Sequence, residues 1–429
     1  MICPFQGMLP IAFGGVSMIS RKRVSHIAMA GLIAAIGGSA AAPITHAATN
    51  APTVASNGGV QKIAAANTSF GLKLLGKLSQ EKPRDNVFFS PFSISQALTL
   101  ALNGSGGKTR QQIAGTLGLS GMPLDGINAA NGLLLPSLRN PEEKVTLSIG
   151  NALWADKQTK LKADFQARSS KFYGAQTASL DFSGPAAAAR INGWVSKETH
   201  GKITSIVTPG ALRQSPAVLT NAVYFHGTWS EVFKPHNTHD EPFKLGAGAK
   251  KIVPMMSQTS RFKYAQNAKF QSVRLPYGQG RIAFYVFLPK DLNGLDALVK
   301  SATPAQWNAW IAKMKPTQLQ VELPKFKASQ DIVLNKPLTE LGMVSAFHAG
   351  ADFRPMGLTN GYIGSVIHKA VLNVDEEGTT AAAATGVMMA TAAMLPPPVQ
   401  IKVDHPFLCA IRDDATGEIL FAGLIRDPK

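Results

Sequence analysis

The chain has 429 residues, a formal net charge of +17 and a hydrophobic content of 45%. This hydrophobic content excludes a mainly disordered chain and predicts a folded body with a large core. A basic balance is compatible with binding to nucleic acid or another polyanion. The lysines are scattered, however, and no block of five or six occurs. We therefore expect a solvated basic surface and no nucleic-acid partner.

Residues 1–47 have the pattern of a secretion signal. The run Arg21-Lys22-Arg23 supplies the positive region, residues 27–44 are apolar and rich in Ala and Gly, and Thr45-His46-Ala47 offers a small-residue cleavage site. The apolar part is too interrupted to predict a membrane span, although a membrane anchor is the alternative. We predict a secreted or periplasmic protein, with no membrane partner and a net charge of +14 after cleavage.

Two further features concern the start of the chain and its cysteines. Met18 is an alternative start to Met1, and residues 48–61 are predicted to be a flexible N-terminal segment. Cys3 lies in the leader, so Cys409 would be the one cysteine of the mature chain, and no intramolecular disulfide could form. Cys409 stands in an apolar strand pattern, which predicts an unreactive buried thiol.

The folded body is predicted to begin with a helix, a strand and a second helix. Lys62 to Leu78 has the apolar spacing of an amphipathic helix. Val87-Phe88-Phe89 is β-like and runs into Ser90-Pro91-Phe92-Ser93, where a serine can cap a helix and Pro91 suits its first turn. The second helix is expected to continue from Ser95 to Leu102.

Two glycine-rich stretches resemble phosphate-binding loops without the context that such loops need. Gly104 to Thr109 ends like a P-loop, but Leu102 stands where that motif requires glycine. Gly278 to Ala283 imitates a dinucleotide-binding loop, but β-like runs flank it on both sides. We predict a helix stop and a new helix near Thr109 at the first stretch, a hairpin turn at the second, and no cofactor. The sequence contains no HExxH, CxxC or GxSxG motif, so we expect no metal site.

Three more motifs follow in the middle of the chain. A predicted helix from Ala188 to Glu198 contains Ile191-Asn192-Gly193-Trp194-Val195. The strand-like run Leu219 to Trp229 has the pattern N-x-x-x-F-x-G-x-W, beginning at Asn221. Leu323-Pro324-Lys325-Phe326 is β-like, and a late helix is expected at residues 338–343.

The stretch from Glu376 to Pro398 carries conflicting signals. It begins with acidic residues and Gly378 and ends with prolines, as an exposed loop does. Between them, Thr379 to Leu395 has no charge and no proline, which makes it compatible with burial as a strand. Neither a helical nor a strand period dominates. Such a segment can lie outside the fold in one state and enter a sheet in another.

Together these motifs resemble the serpin family. The run Val366 to Thr379 is similar to the serpin hinge signature, and residues 405–423 are similar to the C-terminal strands of the family. The motifs at residues 88–93, 191–195 and 221–229 match other serpin segments in order and spacing. The chain is identified as resembling a bacterial-type, secreted, inhibitory member.

The resemblance implies a mixed α/β (α+β) fold with three β-sheets, about nine helices and an exposed reactive loop at residues 376–398, all in one domain of residues 62–429. It assigns Ser90, Ser93, Asn221 and His368 to the shutter under the main sheet, and Trp229 and Lys325 to the breach at its top. Glu376 is expected to face Lys325. The implied loop hinge comprises Glu376, Glu377, Gly378, Thr379, Thr380, Ala381, Ala382, Ala383 and Ala384.

The resemblance also implies that the chain is an inhibitor and not an enzyme. A serine protease, elastase-like or subtilisin-like, would attack the loop and form an acyl-enzyme. The cut loop would then enter the central sheet and trap the protease in a covalent complex. The inhibitor is expected to be a monomer, and a cysteine protease is an alternative partner. A non-inhibitory serpin that acts as a binding or chaperone-like module is the alternative function.

Two ways of counting disagree on the scissile bond. Sixteen residues after Glu376 is Ala392, which gives the bond Ala392–Ala393. Counting back from Pro406 gives Leu395 instead, so Met394–Leu395 and Leu395–Pro396 are alternatives. We favour Ala392, because the length of the inserting segment is mechanically constrained. Ala392 suits a protease with a small apolar pocket, whereas Leu395 or Met394 would suit a chymotrypsin-like one.

Overall fold

The computed structural model describes residues 57–213, 215–379 and 397–429. The signal predicted at residues 1–47, most of the segment predicted at 48–61, and the loop from Thr380 to Pro396 lie outside the described residues. The predicted reactive bond, Ala392–Ala393, and the hinge residues after Thr379 are therefore among the predictions that the structure does not describe.

Helices and strands alternate along the described chain in a mixed α/β fold. The described residues contain ten α-helices, close to the predicted nine: α1 (Gly58–Glu81), α2 (Pro91–Asn103), α3 (Gly107–Leu117), α4 (Leu124–Arg139), α5 (Ala163–Tyr173), α6 (Pro185–Glu198), α7 (Pro209–Leu212), α8 (Leu295–Ser301), α9 (Pro304–Ala312) and α10 (Asn335–Glu340). They contain fifteen strands: β1 (Val87–Phe89), β2 (Val145–Asp156), β3 (Gln176–Leu180), β4 (Ala217–Thr228), β5 (His239–Lys244), β6 (Lys250–Gln266), β7 (Phe270–Pro276), β8 (Ile282–Pro289), β9 (Lys315–Pro324), β10 (Phe326–Val333), β11 (Ile363–Val374), β12 (Gly378–Thr379), β13 (Val399–Lys402), β14 (Phe407–Asp413) and β15 (Ile419–Ile425).

Several helix boundaries differ from the predictions by a few residues, including the starts of α6 at Pro185 and of α10 at Asn335. Helix α1 begins at Gly58, not at Lys62, because the Asn57 side chain accepts hydrogen bonds from the Gly59 and Val60 amides at 3.0 and 3.2 Å. Residues 58–61, which were predicted to belong to a flexible segment, are therefore helical. The late helix, α10, ends at Glu340 rather than at residue 343. The chain turns after it at Gly342, whose φ of +108° is left-handed.

The strands of the described residues form two hydrogen-bonded sheets. One has the order β10-β11-β4-β2-β3, with β12 on β4, and the other has the order β1-β15-β14-β8-β7-β6-β9-β13, with β5 on β6. The expected number of sheets was three. The difference arises because β6 is 17 residues long and pairs with β5 and β9 along most of its length and with β7 at its end. It therefore joins two groups of strands into one network.

The six-stranded sheet is covered on both faces. Helix α2, whose residues are all buried, covers one face, and Asn221 of β4 contacts this helix. The next residue of β4, Ala222, packs against Val195 of α6. Because successive strand residues point to opposite faces, α2 and α6 lie on opposite sides of the sheet. The edge of Trp194 meets the Trp154 ring at a centroid distance of 5.4 Å. Ser90, Ser93, Asn221 and His368 thus lie in the buried layer between this sheet and the start of α2.

Both glycine-rich stretches have the predicted structural roles. Helix α3 starts at Gly107, after the stop that ends α2, and the Gly106 amide donates to the Asp352 carbonyl at 2.8 Å. The second stretch is the hairpin turn between β7 and β8. The Glu142 carboxylate accepts hydrogen bonds from three amides of that turn, those of Gln279, Arg281 and Ile282, at 3.2, 3.0 and 3.0 Å. The carboxylate of Glu142 therefore accepts the hydrogen bonds of the amides that a phosphate would need.

The described residues contain neither a candidate membrane-spanning helix nor a candidate metal site. In residues 57–213, 215–379 and 397–429, no helix has the length and apolar character to cross a bilayer. The same residues contain no group of three or more His, Cys, Asp or Glu placed to hold a metal ion. Cys409 is buried, as predicted, and its burial raises the pKa of the thiol.

Candidate functional site

The candidate site is the end of the six-stranded sheet where β4 and β11 separate. The two strands pair in parallel up to Tyr224 and Val371, after which β4 continues without β11 to Thr228. The short strand β12 then pairs antiparallel with Gly227 and Thr228. Strand β2 holds the opposite edge of β4 at Gly227. Strand β12 therefore occupies the same edge of β4 that β11 occupies further down.

A tight turn connects β11 to β12, and we call residues 375–379 the hinge turn. The Asp375 amide donates to the Gly378 carbonyl at 3.0 Å, and the Gly378 amide donates back at 3.3 Å. Gly378 has a φ of +145°, and a Cβ atom there would lie 2.1 Å from the Gly227 carbonyl oxygen. Only glycine satisfies both the backbone conformation and this close approach.

The residues after β4 hold the hinge turn by backbone and side-chain hydrogen bonds. The Trp229 amide donates to the Glu377 carbonyl at 2.9 Å, and the Trp229 indole Nε1 donates to the Asp375 carbonyl at 2.9 Å. The Phe233 amide donates to the Glu376 carbonyl at 2.8 Å. Trp229, which the resemblance assigned to the breach, therefore binds the turn through both its backbone amide and its indole.

Glu376 is paired with Lys325, as predicted. The Lys325 Nζ lies 2.6 Å from Glu376 Oε2, and the Thr238 hydroxyl donates to Glu376 Oε1 at 2.9 Å. The glutamate side chain is 12% exposed and the lysine side chain 37%. Burial alone would raise the pKa of Glu376, but the hydrogen bonds from Lys325 and Thr238 outweigh it and lower the pKa. The hinge turn therefore carries an ionised carboxylate at physiological pH.

The four predicted shutter side chains meet beneath the sheet, and we call them the shutter cluster. Ser90 caps α2, because its Oγ accepts a hydrogen bond from the Ser93 amide at 3.1 Å. The Ser90 amide donates to Nε2 of His368 at 3.1 Å. Asn221 Nδ2 donates to Ser93 Oγ at 2.5 Å and to Asn151 Oδ1 at 2.6 Å. One serine therefore caps the helix while the other binds the sheet.

His368 connects the two strands between which an inserting loop would have to pass. It lies on β11 directly opposite Asn221 of β4, and its Nδ1 is 2.5 Å from Asn221 Oδ1. Since Nε2 accepts from the Ser90 amide, Nδ1 carries the proton and the ring is neutral. Complete burial lowers the pKa of His368 to about 3, which agrees with a neutral ring. Separation of β4 and β11 would break this contact.

The comparisons with known proteins point to one family. The family model for "Serpin (serine protease inhibitor)" matches residues 65–428. The chain belongs to the serpin family. It is 34% identical over 382 residues to leukocyte elastase inhibitor A of Mus musculus, which covers 86% of this chain and 100% of that relative.

Solved structures of other proteins are similar along the same length. Human thyroxine-binding globulin has a TM-score of 0.80 at 28% identity, covering 86% of this chain and 100% of that one. Serpin48 of the insect Tenebrio molitor has a TM-score of 0.77 at 29% identity, covering 86% of this chain and 99% of that one. The mixed α/β serpin fold that the motifs implied is thereby confirmed.

The structure also brings to the site residues that the sequence did not single out. Tyr277 stacks on Trp229 at a centroid distance of 4.3 Å, and its hydroxyl lies 2.9 Å from Thr379 Oγ1. Thr238 and Phe233 bind Glu376, and Asn151 binds Asn221. No local pattern in the sequence pointed to these residues, because each contact joins positions that are far apart in the chain.

The two described ends of the predicted reactive loop lie in different sheets. The chain leaves the six-stranded sheet after Thr379 and returns at Pro397, just before β13. Strand β13 pairs in parallel with β9 of the other sheet, from Val399 to Lys402. Lys402 forms ion pairs with Glu241 and Glu322 at 3.3 and 3.1 Å. The loop is thus anchored at both ends.

Reversal of the charge at Glu376 should release the hinge turn of this serpin from the end of the sheet. Glu376→Lys would place two cations together at the end of the sheet. The pair itself contributes only about 0–1 kcal/mol, but its loss would release the hinge turn where β4 and β11 separate. We expect loop–sheet polymers on incubation, measured by size-exclusion chromatography. The double variant Glu376→Lys with Lys325→Glu should stay monomeric.

A matched control is available on the surface. Asp181 pairs with Lys157 at 2.8 Å with both side chains about half exposed, so Asp181→Lys makes a like-charge contact far from the hinge and should not polymerise the protein. Failure of the double variant to restore the monomer would show that the Glu376–Lys325 contact does not control the site.

Proposed function

We propose that this serpin is a covalent suicide-substrate inhibitor of a serine protease with a small apolar primary pocket, either elastase-like or subtilisin-like. The observation that carries the proposal is strand β12, which already pairs with β4 on the edge next to the last β4–β11 pair. A loop that was cut beyond Thr379 could continue from there as a strand between β4 and β11. The relatives named leukocyte elastase inhibitor support a protease as the partner.

The proposed reaction uses the chemistry of the protease up to the acyl-enzyme. The protease serine Oγ attacks the carbonyl carbon of Ala392, the bond to the Ala393 nitrogen breaks, and the catalytic histidine passes the serine proton to the leaving amine. Ala392 is then held as an ester. Insertion of the residues before it moves the protease and distorts its oxyanion hole, so that water no longer completes hydrolysis. The chain is consumed once and is not a catalyst.

The sequence of the loop supports insertion as a strand. A central strand needs every backbone amide, and residues 379–395 contain no proline. Alternate residues must enter the core, and Thr379, the first of them, is fully buried. The others on the same parity are small or apolar: Ala381, Ala383, Thr385, Val387 and Met389. Gly386, a weak strand former, falls on the outward parity.

The proposal is tested by mixing the mature chain with a panel of elastase-like, subtilisin-like and chymotrypsin-like proteases. We expect a complex that survives denaturing electrophoresis, and mass spectrometry should place the cut after Ala392. Free turnover of the loop by every protease, with no complex, would contradict inhibition and favour the non-inhibitory binding or chaperone-like alternative. A cut after Met394 or Leu395 would change only the assignment of the bond and the class of target.

The remaining proposals concern location and partners. The charge pattern of residues 1–47 supports export, so we propose a secreted or periplasmic monomer whose macromolecular partner is the target protease, with a cysteine protease as the alternative target. Because the lysines are scattered and no nucleotide motif is complete, we propose neither a nucleic-acid partner nor a cofactor.

A further inference from the structure

The phenol of Tyr277 reaches the first loop residue that faces the core. Its hydroxyl lies 2.9 Å from Thr379 Oγ1, and both side chains are fully buried. Thr379 pairs with Gly227 on β4, and a Cβ atom on Gly227 would lie 3.0 Å from the Tyr277 ring. The glycine in β4 therefore leaves the space through which the phenol approaches the loop.

Tyr277 belongs to a part of the fold that is held firmly. Its ring stacks on Trp229 at 4.3 Å and meets the edge of Phe225 at 5.1 Å. Its amide donates to the Ile282 carbonyl at 2.9 Å across the hairpin, and the Glu142 carboxylate binds the amides of the same turn. Burial raises the pKa of Tyr277 well above its usual range, so the hydroxyl stays protonated.

Thr379 depends on this partner because its hydroxyl has lost contact with water. A buried hydroxyl without a hydrogen bond is costly, whereas two apolar groups of the same shape in its place are nearly neutral. The hydrogen bond therefore favours the state in which Thr379 is seated in the sheet over the state in which the hinge turn has left it.

We infer that Tyr277 is a positioning residue for loop insertion, which seats Thr379 as the first strand residue before any protease has cut the loop. This inference rests on the proposed function. Starting a strand costs backbone entropy before its hydrogen bonds form, and a seated Thr379 has already met this cost. Insertion competes with hydrolysis of the acyl-enzyme. An unseated hinge delays the first step of insertion and lets the protease escape.

The test is a double-mutant cycle of Tyr277→Phe and Thr379→Val. Each single variant leaves one buried hydroxyl without its partner, whereas the double variant leaves two apolar groups in contact. Tyr264→Phe is the matched control, because the buried Tyr264 hydroxyl has no hydrogen-bond partner among the described residues. The measurements are the stoichiometry of inhibition, the rate of association with the protease, and hydrogen exchange of residues 372–379 in the uncut protein.

Loss of a hydrogen bond with the usual net contribution should lower the ratio of molecules with Thr379 seated in the sheet to molecules with Thr379 outside it about two- to tenfold. Both single variants should therefore show faster hydrogen exchange and a raised stoichiometry of inhibition, with little change in the association rate. The double variant should return toward the wild type, and Tyr264→Phe should behave as the wild type.

Two results would overturn the inference. One is a Tyr277→Phe variant that exchanges and traps protease like the wild type, and the other is a double variant whose defect is the sum of the two single ones. If the wild type traps no protease at all, the proposed function fails, but hydrogen exchange still decides whether Tyr277 seats Thr379.

Discussion

Thr379→Arg is expected to convert this serpin from the proposed inhibitor into a substrate, so that the stoichiometry of inhibition should rise severalfold. Thr379 is fully buried against Tyr277, and an arginine there must either leave the sheet or bury an unpaired charge, which costs several kcal/mol. Ala392, the proposed target of attack, is remote in sequence from Thr379. The rate of first attack should therefore change little, while the delayed insertion lets the protease hydrolyse the ester and leave. Titration of the protease and measurement of the association rate separate the two effects.

The matched control is Thr380→Arg. Thr380 follows on the opposite parity of the strand, so an arginine there should point away from the core, and the variant should inhibit nearly as well as the wild type. Ala381→Pro, which removes a ladder amide two residues further on, should fail in the same way as Thr379→Arg. Trapping of protease one to one by Thr379→Arg would show that insertion does not pass through this hinge.

Cleavage of the loop between Ala390 and Leu395 should raise the melting temperature on the order of 10 °C. Insertion would bury the side chains that follow Thr379 on the inward parity, chiefly Val387 and Met389 with two alanines. Their burial contributes on the order of 5 kcal/mol, while new ladder hydrogen bonds offset the cost of ordering the loop. Differential scanning calorimetry of cut and intact protein measures the shift.

The control for this prediction is the cut Thr379→Arg variant. Its loop has the same ends and the same length, but its first inward side chain cannot enter the core without burying a charge. We expect a smaller rise in its melting temperature than in that of the cut wild type. Equal melting temperatures for cut and intact wild type would mean that the cut loop stays outside the sheet.

The parts of the site that lie in recognisable sequence motifs could be predicted. The Glu376–Lys325 pair was predicted from the resemblance, and so was the meeting of Ser90, Ser93, Asn221 and His368. In both cases the residues stand in motifs that match those of the family in order and spacing. The glycine turns were predictable for a local reason, since both stretches lacked the neighbours that a phosphate loop needs.

Other features depend on contacts between residues that are far apart in the chain. The start of helix α1 is the exception, because the contact that sets it is local: Asn57 caps the helix from two and three residues away, so that it begins at Gly58 in spite of two glycines, which disfavour helix. The merging of two groups of strands depends on which partner β6 takes at each end. The contact of Tyr277 with Thr379 joins residues 102 positions apart in the sequence, and no local pattern shows that a phenol would meet the hinge there.

The central claim is that the cut loop becomes a strand between β4 and β11, and a crystal structure of the cleaved protein tests it most directly. We expect the residues after Thr379 to continue β12 along the edge of β4. The present pairing of residues 217–224 of β4 with β11 should be replaced by pairing of each of these two strands with the loop. The His368–Asn221 contact should then be broken. A cleaved protein in which β4 and β11 keep their pairing and the His368–Asn221 contact, with the loop outside the sheet, would contradict the account.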